Sequence, residues 1–491
     1  MSLKTFRDPK ASLWQSVVEA AVRRKQAAAG AATSAGGTNT GAPAAVGTPA
    51  RPTLDHPVVA AATNAVSAAL SGIGTTVAPP MIAPISSPAA SPAAMDTVAA
   101  APPVCCTDDE CAHLALQLAT AKVEQHPADE IQQLEDALRF STCDPLWAEA
   151  VTDYVHFFDI DRGTVPYRPA KAPDDPAPLT LAENATVALI ADWGTGTPEA
   201  RALLERVAAH RPDVVIHLGD VYYSGTPEEN ASYFLDVIND VFGRGAQRPL
   251  PVFNLTGNHD MYSGGSGYYD VLDQLNLPPL APAGQVQANS FFNLRSSGWQ
   301  VLGMDTGLHD DDVFDVASSL TYLEDGELAW HKHQIASAGG RRTILLSHHQ
   351  LFSAFSAIGP ESNGDRSENP ILHSQFADVL GQVDAWFWGH EHNLEIYGPY
   401  AGLQRGRCIG CSAVPVFVAQ QPYKSCVGDK IPLLAANPAI PGVPIMLGTT
   451  GGVYNHGYVI LKLDDASRTA SVSYYQDTDS GDLLFQETLG G

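Results

Sequence analysis

Residues 185–194 read A-T-V-A-L-I-A-D-W-G. An apolar run of this length, closed by a polar turn, predicts a buried strand with Asp192 at its carboxyl end. The chain then repeats the arrangement. T-P-E-A-R-A-L-L-E-R-V-A-A-H at 197–210 predicts a helix, with Pro198 and Glu199 suited to its first turn. D-V-V-I-H-L-G at 213–219 and L-P-V-F-N-L-T-G at 250–257 predict the next strands. W-Q-V-L-G-M-D at 299–305, R-T-I-L-L-S-H at 342–348 and D-A-W-F-W-G-H at 384–390 continue the series. Strands alternating with helices imply an α/β layer fold. The tail, G-Y-V-I-L-K-L-D, A-S-V-S-Y-Y-Q-D and D-L-L-F-Q-E-T-L, predicts antiparallel strands.

Five of these strands end on polar motifs. Asp192 lies in A-D-W-G, Asp220 in G-D-V-Y-Y, and Asn258 and His259 in G-N-H-D. His348 lies in L-S-H-H, and His390 and His392 in G-H-E-H. Loops at the carboxyl ends of strands are where α/β sheets bind ligands. One Gly-Asp or Gly-His pair arises readily by chance; core packing does not explain five strand ends carrying metal-competent groups. Carboxylates and imidazoles suit divalent and trivalent transition ions. A carboxylate bridging two ions roughly 3.5–4 Å apart would place both on the oxygens of an in-line displacement at phosphorus. A metal-bound hydroxide can then act at neutral or mildly acidic pH. The pattern predicts a dinuclear metal hydrolase.

In that order the motifs resemble the calcineurin-like metallophosphoesterases, and the Tyr three places after Asp220 makes the chain similar to the purple acid phosphatases. The resemblance covers roughly residues 186–400. It implies a four-layer α/β/β/α sandwich. It also implies that Asp192, Tyr223 and His392 hold a ferric ion, and that Asn258, His348 and His390 hold a divalent ion (Fe, Zn or Mn). Asp220 would bridge them, and His259 would protonate or orient the leaving oxygen. A competing reading has Tyr223 packing and Tyr222 pointing at the site. Two departures stand out: Gln350 stands two residues after His348, where Pro is frequent, and Ala357 occupies a place where several purple phosphatases carry a further His.

Lys plus Arg number 28 against 54 Asp plus Glu, a formal charge of −26. That argues against nucleic acid as a partner and would repel a small phosphate ester unless bound cations reverse the local field. No apolar run long enough for a membrane span appears. The amino terminus lacks the pattern of a secretory signal, and seven cysteines do not suggest a disulfide scaffold. A reducing, cytoplasmic location is expected.

The domain reading is a short helix over 1–29, a disordered Ala/Pro/Thr/Gly/Ser linker over 30–104, a small helical region and linker over 105–180, and the catalytic domain over 181–491. The Pro- and Asp-rich part of 161–180 is a linker or a wrapping arm. Cys105, Cys106, Cys111 and Cys143 read as ordinary thiols. Cys408 and Cys411, with Cys426, lack a fourth partner for a structural zinc. His331 and His333 read as solvent-facing on a helix, S-G-G-S-G at 263–267 as a flexible loop, and the acidic stretch after Gly307 as solvated. Three functions remain: a phosphomonoesterase, a phosphodiesterase on cyclic nucleotides or lipid head groups, and a catalytically silent scaffold.

Overall fold

In a computed structural model of the chain, the described residues are 126–127, 150 and 153–490, apart from 244–245, 247, 278–285, 312–318, 436–441 and 479–480. The helix expected over 1–29, the linker 30–104, most of the helical region after residue 105, and Cys105, Cys106, Cys111 and Cys143 lie outside them.

The predicted strands form two sheets, and β11 (Thr449–Thr450) pairs with β12 (Val453–Tyr454) in a separate two-stranded ribbon. The first contains β2 (Thr186–Ile190), β3 (Val214–His217), β4 (Val252–Asn254), β13 (Gly457–Asp464), β14 (Thr469–Gln476) and β15 (Asp482–Leu489), in the order β15-β14-β13-β2-β3-β4. The second contains β1 (Leu179–Thr180), β5 (Phe292–Arg295), β6 (Trp299–Gly303), β7 (Arg342–Ser347), β8 (Val383–Trp388), β9 (Glu395–Ile396) and β10 (Gly406–Cys408), in the order β1-β5-β6-β7-β8-β10-β9. Strands β2, β3 and β4 run parallel, as do β6, β7 and β8. The tail strands pair antiparallel, as their alternation predicts.

Side chains alternate across each strand, and this sorts the core into layers. Val187, Leu189, Ile216, Val301, Ile344, Leu346 and Phe387 share one buried cluster, which fills the space between the two sheets. Their neighbours Ala188, Ile190 and Val215 face outward onto Leu203, Leu204 and Val207 of α1 (Pro198–Ala209). Leu302, Leu345, Trp386 and Trp388 face outward on the other side. There they meet Trp330 and Ile335 of α2 (Asp325–Ala336) and Leu372 and Phe376 of α3 (Pro370–Phe376). The architecture is therefore the α/β/β/α sandwich. Because the parallel strands are covered on both faces, they read as unbroken apolar runs. Thr197 caps α1 by accepting from Ala200 N–H at 3.2 Å, with Pro198 and Glu199 in the first turn.

Residues 167–180 form a wrapping arm. Tyr167 donates to Glu327 Oε2 (3.1 Å), Trp330 Nε1 donates to the Pro176 carbonyl (2.8 Å), and β1 pairs with β5. Two expectations need correction. His331 is buried in α2, 3.2 Å from Glu327 Oε1, and burial pushes its pKa down to about 3, so it stays neutral. His333 is exposed, as expected. S-G-G-S-G turns directly into the helix Ser266–Leu272, with Gly265 at its N-cap in the left-handed region (φ 74°). Among the described residues, no helix is long and apolar enough to cross a membrane.

Candidate metal centre

The carboxyl ends of β2, β3, β4, β7 and β8 converge on one rim. Asp192, Asp220 and His348 lie within 4.8 Å of one another and are all buried. The turns that carry them are tight. Asp192, Asp220 and His390 adopt left-handed backbone with φ of 54°, 77° and 66°, a conformation costing a non-glycine residue about 1–3 kcal/mol. Gly219, at φ 106°, precedes Asp220. Gly257 is needed for space, because a Cβ there would fall on the Asp220 carboxylate.

On one side of Asp220, lone pairs face lone pairs. His348 Nδ1 donates to the Leu218 carbonyl (3.0 Å), so Nε2 is the free ring position. That nitrogen lies 3.1 Å from Asn258 Oδ1, 3.3 Å from Asp220 Oδ2 and 3.3 Å from His390 Nδ1. Asn258 Nδ2 donates to Tyr262 Oη (2.5 Å), which turns its oxygen toward the histidines. His390 Nδ1 is 3.0 Å from that same oxygen. Burial lowers the pKa of His348, but the Asp220 and Asp192 carboxylates outweigh it and raise it to about 9. The cluster thus calls for positive charge.

The other side shows the same excess of acceptors. The Tyr222 hydroxyl lies 3.1 Å from Asp192 Oδ1, 3.0 Å from Asp220 Oδ2 and 2.9 Å from His392 Nε2. A phenol carries one proton and can donate to one of the three. This donor set, with two buried carboxylates, three imidazoles, a carboxamide and a phenol, fits two cations.

The tyrosine in the pocket is Tyr222, where spacing pointed to Tyr223. Tyr222 N–H donates to the Gly194 carbonyl (2.9 Å) and Tyr223 N–H to Glu229 Oε1 (2.7 Å). These bonds fix the turn so that the first ring faces Asp192. Tyr223 contributes its carbonyl, which accepts from His259 Nδ1 at 2.7 Å. His259 Nε2 then lies 3.9 Å from Asp220 Oδ2.

Several supporting residues escaped the sequence reading. Asp260 accepts from Gly257 N–H (2.8 Å) and Asp220 N–H (3.0 Å), tying two ligand-bearing turns together. Its place inside G-N-H-D was the available signal. His217 accepts from Trp193 N–H (3.4 Å) and donates from Nδ1 to Asn254 Oδ1 (2.8 Å). The Cys408 thiol sits 3.3–3.7 Å from the carbonyls of Gly389, Glu391 and Asn393. Alternate residues of G-H-E-H-N thus turn their carbonyls to the sulfur. Cys408, Cys411 and Cys426 are free thiols.

Residues 185–394 match the family model of the calcineurin-like phosphoesterases. This segment belongs to that family. The protein carries a calcineurin-like phosphoesterase segment, and its relatives support a phosphoric ester hydrolase. It is 26% identical to human tartrate-resistant acid phosphatase type 5 over 252 residues, covering 44% of this chain and 70% of the relative. It is 26% identical over 235 residues to the glycerophosphodiester phosphodiesterase GpdQ of Enterobacter lignolyticus, covering 46% and 70%. A purple acid phosphatase, PPD1 from yellow lupin, aligns with a TM-score of 0.39 and 16% identity over 62% of this chain. The aligned part is about half of the lupin enzyme, 53% of its chain.

Proposed function

We propose that the phosphoesterase is a phosphomonoesterase of the purple acid phosphatase type. Asp192, Tyr222 and His392 would hold a ferric ion; Asn258, His348 and His390 would hold a divalent ion (Fe, Zn or Mn); Asp220 would serve both. The observation that carries this reading is the Tyr222 hydroxyl beside Asp192, Asp220 and His392, because a phenolate oxygen suits a hard trivalent ion. The human relative, named an acid phosphatase, supports it.

Bound there, the two ions would supply positive charge to a phosphoryl group and acidify water. In a chain of formal charge −26, that local reversal of field is what admits an anionic ester. The rest falls to side chains. His259, held through Nδ1 by the Tyr223 carbonyl, keeps Nε2 on the pocket side to orient or protonate the leaving oxygen. The buried Asp192, Asp220 and His348 keep bulk water from the centre, and the partly exposed His390 and His392 mark the side from which substrate enters.

A second reading, a phosphodiesterase, is favoured by the equal identity to the glycerophosphodiester phosphodiesterase and by Ala357 at the place of a substrate-side His. The test is metal analysis with kcat/KM for a chromogenic monoester and diester. Iron, visible colour and monoester preference are expected. A colourless protein that prefers the diester would overturn the first reading in favour of the second.

A further inference from the structure

We propose that residues 305–310 form a bracket that sets the affinity of the divalent-ion half of the centre, with His349 as its positioning residue. The proposal rests on the two-ion reading above.

The bracket leaves the end of β6 and is anchored on α2, where Asp305 N–H donates to Glu327 Oε1 (2.9 Å). It grips two ligand-bearing turns. At one end, the Asp305 carboxylate accepts from the Thr256 hydroxyl, two residues before Asn258. At the other, it holds His349, the residue after His348. Thr306 Oγ1 accepts from His349 N–H at 3.0 Å and lies 3.2 Å from Nδ1, within hydrogen-bond reach. Nε2–H of His349 donates to Asp310 Oδ2 at 3.0 Å. Both ring nitrogens are thereby occupied, and His349 is no ligand, although His348, His349 and His390 cluster closely enough to hold an ion. Its ring instead backs the two that remain, with centroids 4.5 Å from His390 and 4.8 Å from His348. Asn258, His348 and His390 come from three strand ends; Gly389 N–H donates to the His348 carbonyl (2.9 Å), tying the second to the third, and the first must still be held in register. A bracket tied to two of those ends, with an imidazole wedged behind the third, holds it there.

The test uses the full chain with Thr306→Val, Asp310→Asn and, as conservative control, Thr306→Ser. Apoprotein is titrated with Zn(II) and Mn(II), bound metal is counted per chain, and thermal unfolding is followed in parallel. Wild type should bind two ions. Thr306→Val and Asp310→Asn should weaken one of them by about 10- to 100-fold, the usual cost of losing a partner behind a ligand. Thr306→Ser should restore wild-type binding. Equal weakening of both ions, or two ions at wild-type affinity in Thr306→Val and Asp310→Asn, would overturn the bracket alone. Fewer than two ions on wild type would remove the underlying two-ion reading and the bracket with it.

Discussion

The Tyr222 hydroxyl stands 2.9 Å from Nε2 of His392, a residue 170 positions further along the chain. Asp192 and Asp220 close the same pocket around that oxygen. The contact joins the turn after β3 in one sheet to the turn after β8 in the other, so the candidate centre is also a seam of the fold.

If a ferric ion binds there, iron-loaded protein absorbs broadly in the visible by phenolate charge transfer. Tyr222→Phe should abolish that band and Tyr223→Phe should keep it, because the pocket hydroxyl belongs to Tyr222. Spectra of both variants at equal iron content decide the matter. A band lost only in Tyr223→Phe would restore the assignment that spacing suggested.

Gly257→Ala should strip metal from the protein while leaving the fold nearly intact. The added methyl would occupy the position of the Asp220 carboxylate, and under such overlap the carboxylate must move. Asp220→Asn should also lower metal content and remove activity, because the shared group loses its charge for two cations. Retention of both ions with near-normal turnover in Asp220→Asn would refute the shared role.

His259→Ala should keep both ions and slow turnover by about 10²- to 10⁴-fold, the typical worth of a general acid. The defect should grow with poorer leaving groups. A uniform defect across a graded series would leave His259 an orienting role only.

Arg407 grips Glu487 with two bonds of 2.7 Å, and Tyr474 donates to the same carboxylate at 2.6 Å. These bonds tie β10 of one sheet to β14 and β15 of the other. Arg407→Ala should cost about 3–5 kcal/mol, because it strands a largely buried charge. Burial raises the Glu487 pKa, but the bond from Arg407 outweighs it and holds it below the ordinary carboxylate value. A depressed folded-state pKa contributes stability above the unfolded value of about 4.3, lost as pH falls through the folded one. Glu487→Gln should therefore destabilise at neutral pH, and the gap to wild type should close under acid. Denaturant unfolding across that range measures it, and a gap independent of pH would contradict the assignment.

Removal of residues 1–104 should leave an active enzyme, since the Ala/Pro/Thr/Gly/Ser sequence of 30–104 lacks material for a core and the motifs begin at Asp192. Removal through residue 180 should not, because it deletes β1, the Tyr167–Glu327 bond and the Pro176 carbonyl that Trp330 uses. Solubility and unfolding of the two truncations would separate the cases, and a stable shorter form would show the arm to be dispensable.

Much of the architecture was legible because burial on both faces writes itself as unbroken apolar runs. A-T-V-A-L-I-A and R-T-I-L-L-S each became a strand, and the residue after each run landed on the common rim. Less legible were groups whose roles depend on which face a turn or helix presents. His331 looked solvent-facing by its polar neighbours but lies beside Glu327, because α2 is covered by the arm and the second sheet. The acidic stretch after Gly307 read as solvated, yet its Asp310 is buried against His349.

The sequence by itself determined the alternation of strands and helices, the polar groups at five strand ends, and hence the chemistry available to the centre. Strand periodicity and residue type are local properties, readable without coordinates. Tertiary structure decided which neighbour of the Tyr222–Tyr223 pair enters the pocket. That choice rests on backbone N–H bonds to the Gly194 carbonyl and the Glu229 carboxylate, which come from two other segments. It also decided that His348 and His349, adjacent in the chain, point to different work. One offers a free nitrogen to Asn258 and Asp220; the other spends both nitrogens on Thr306 and Asp310. Adjacent residues at the end of a strand face opposite ways, and what each one meets is set by segments tens to hundreds of residues away.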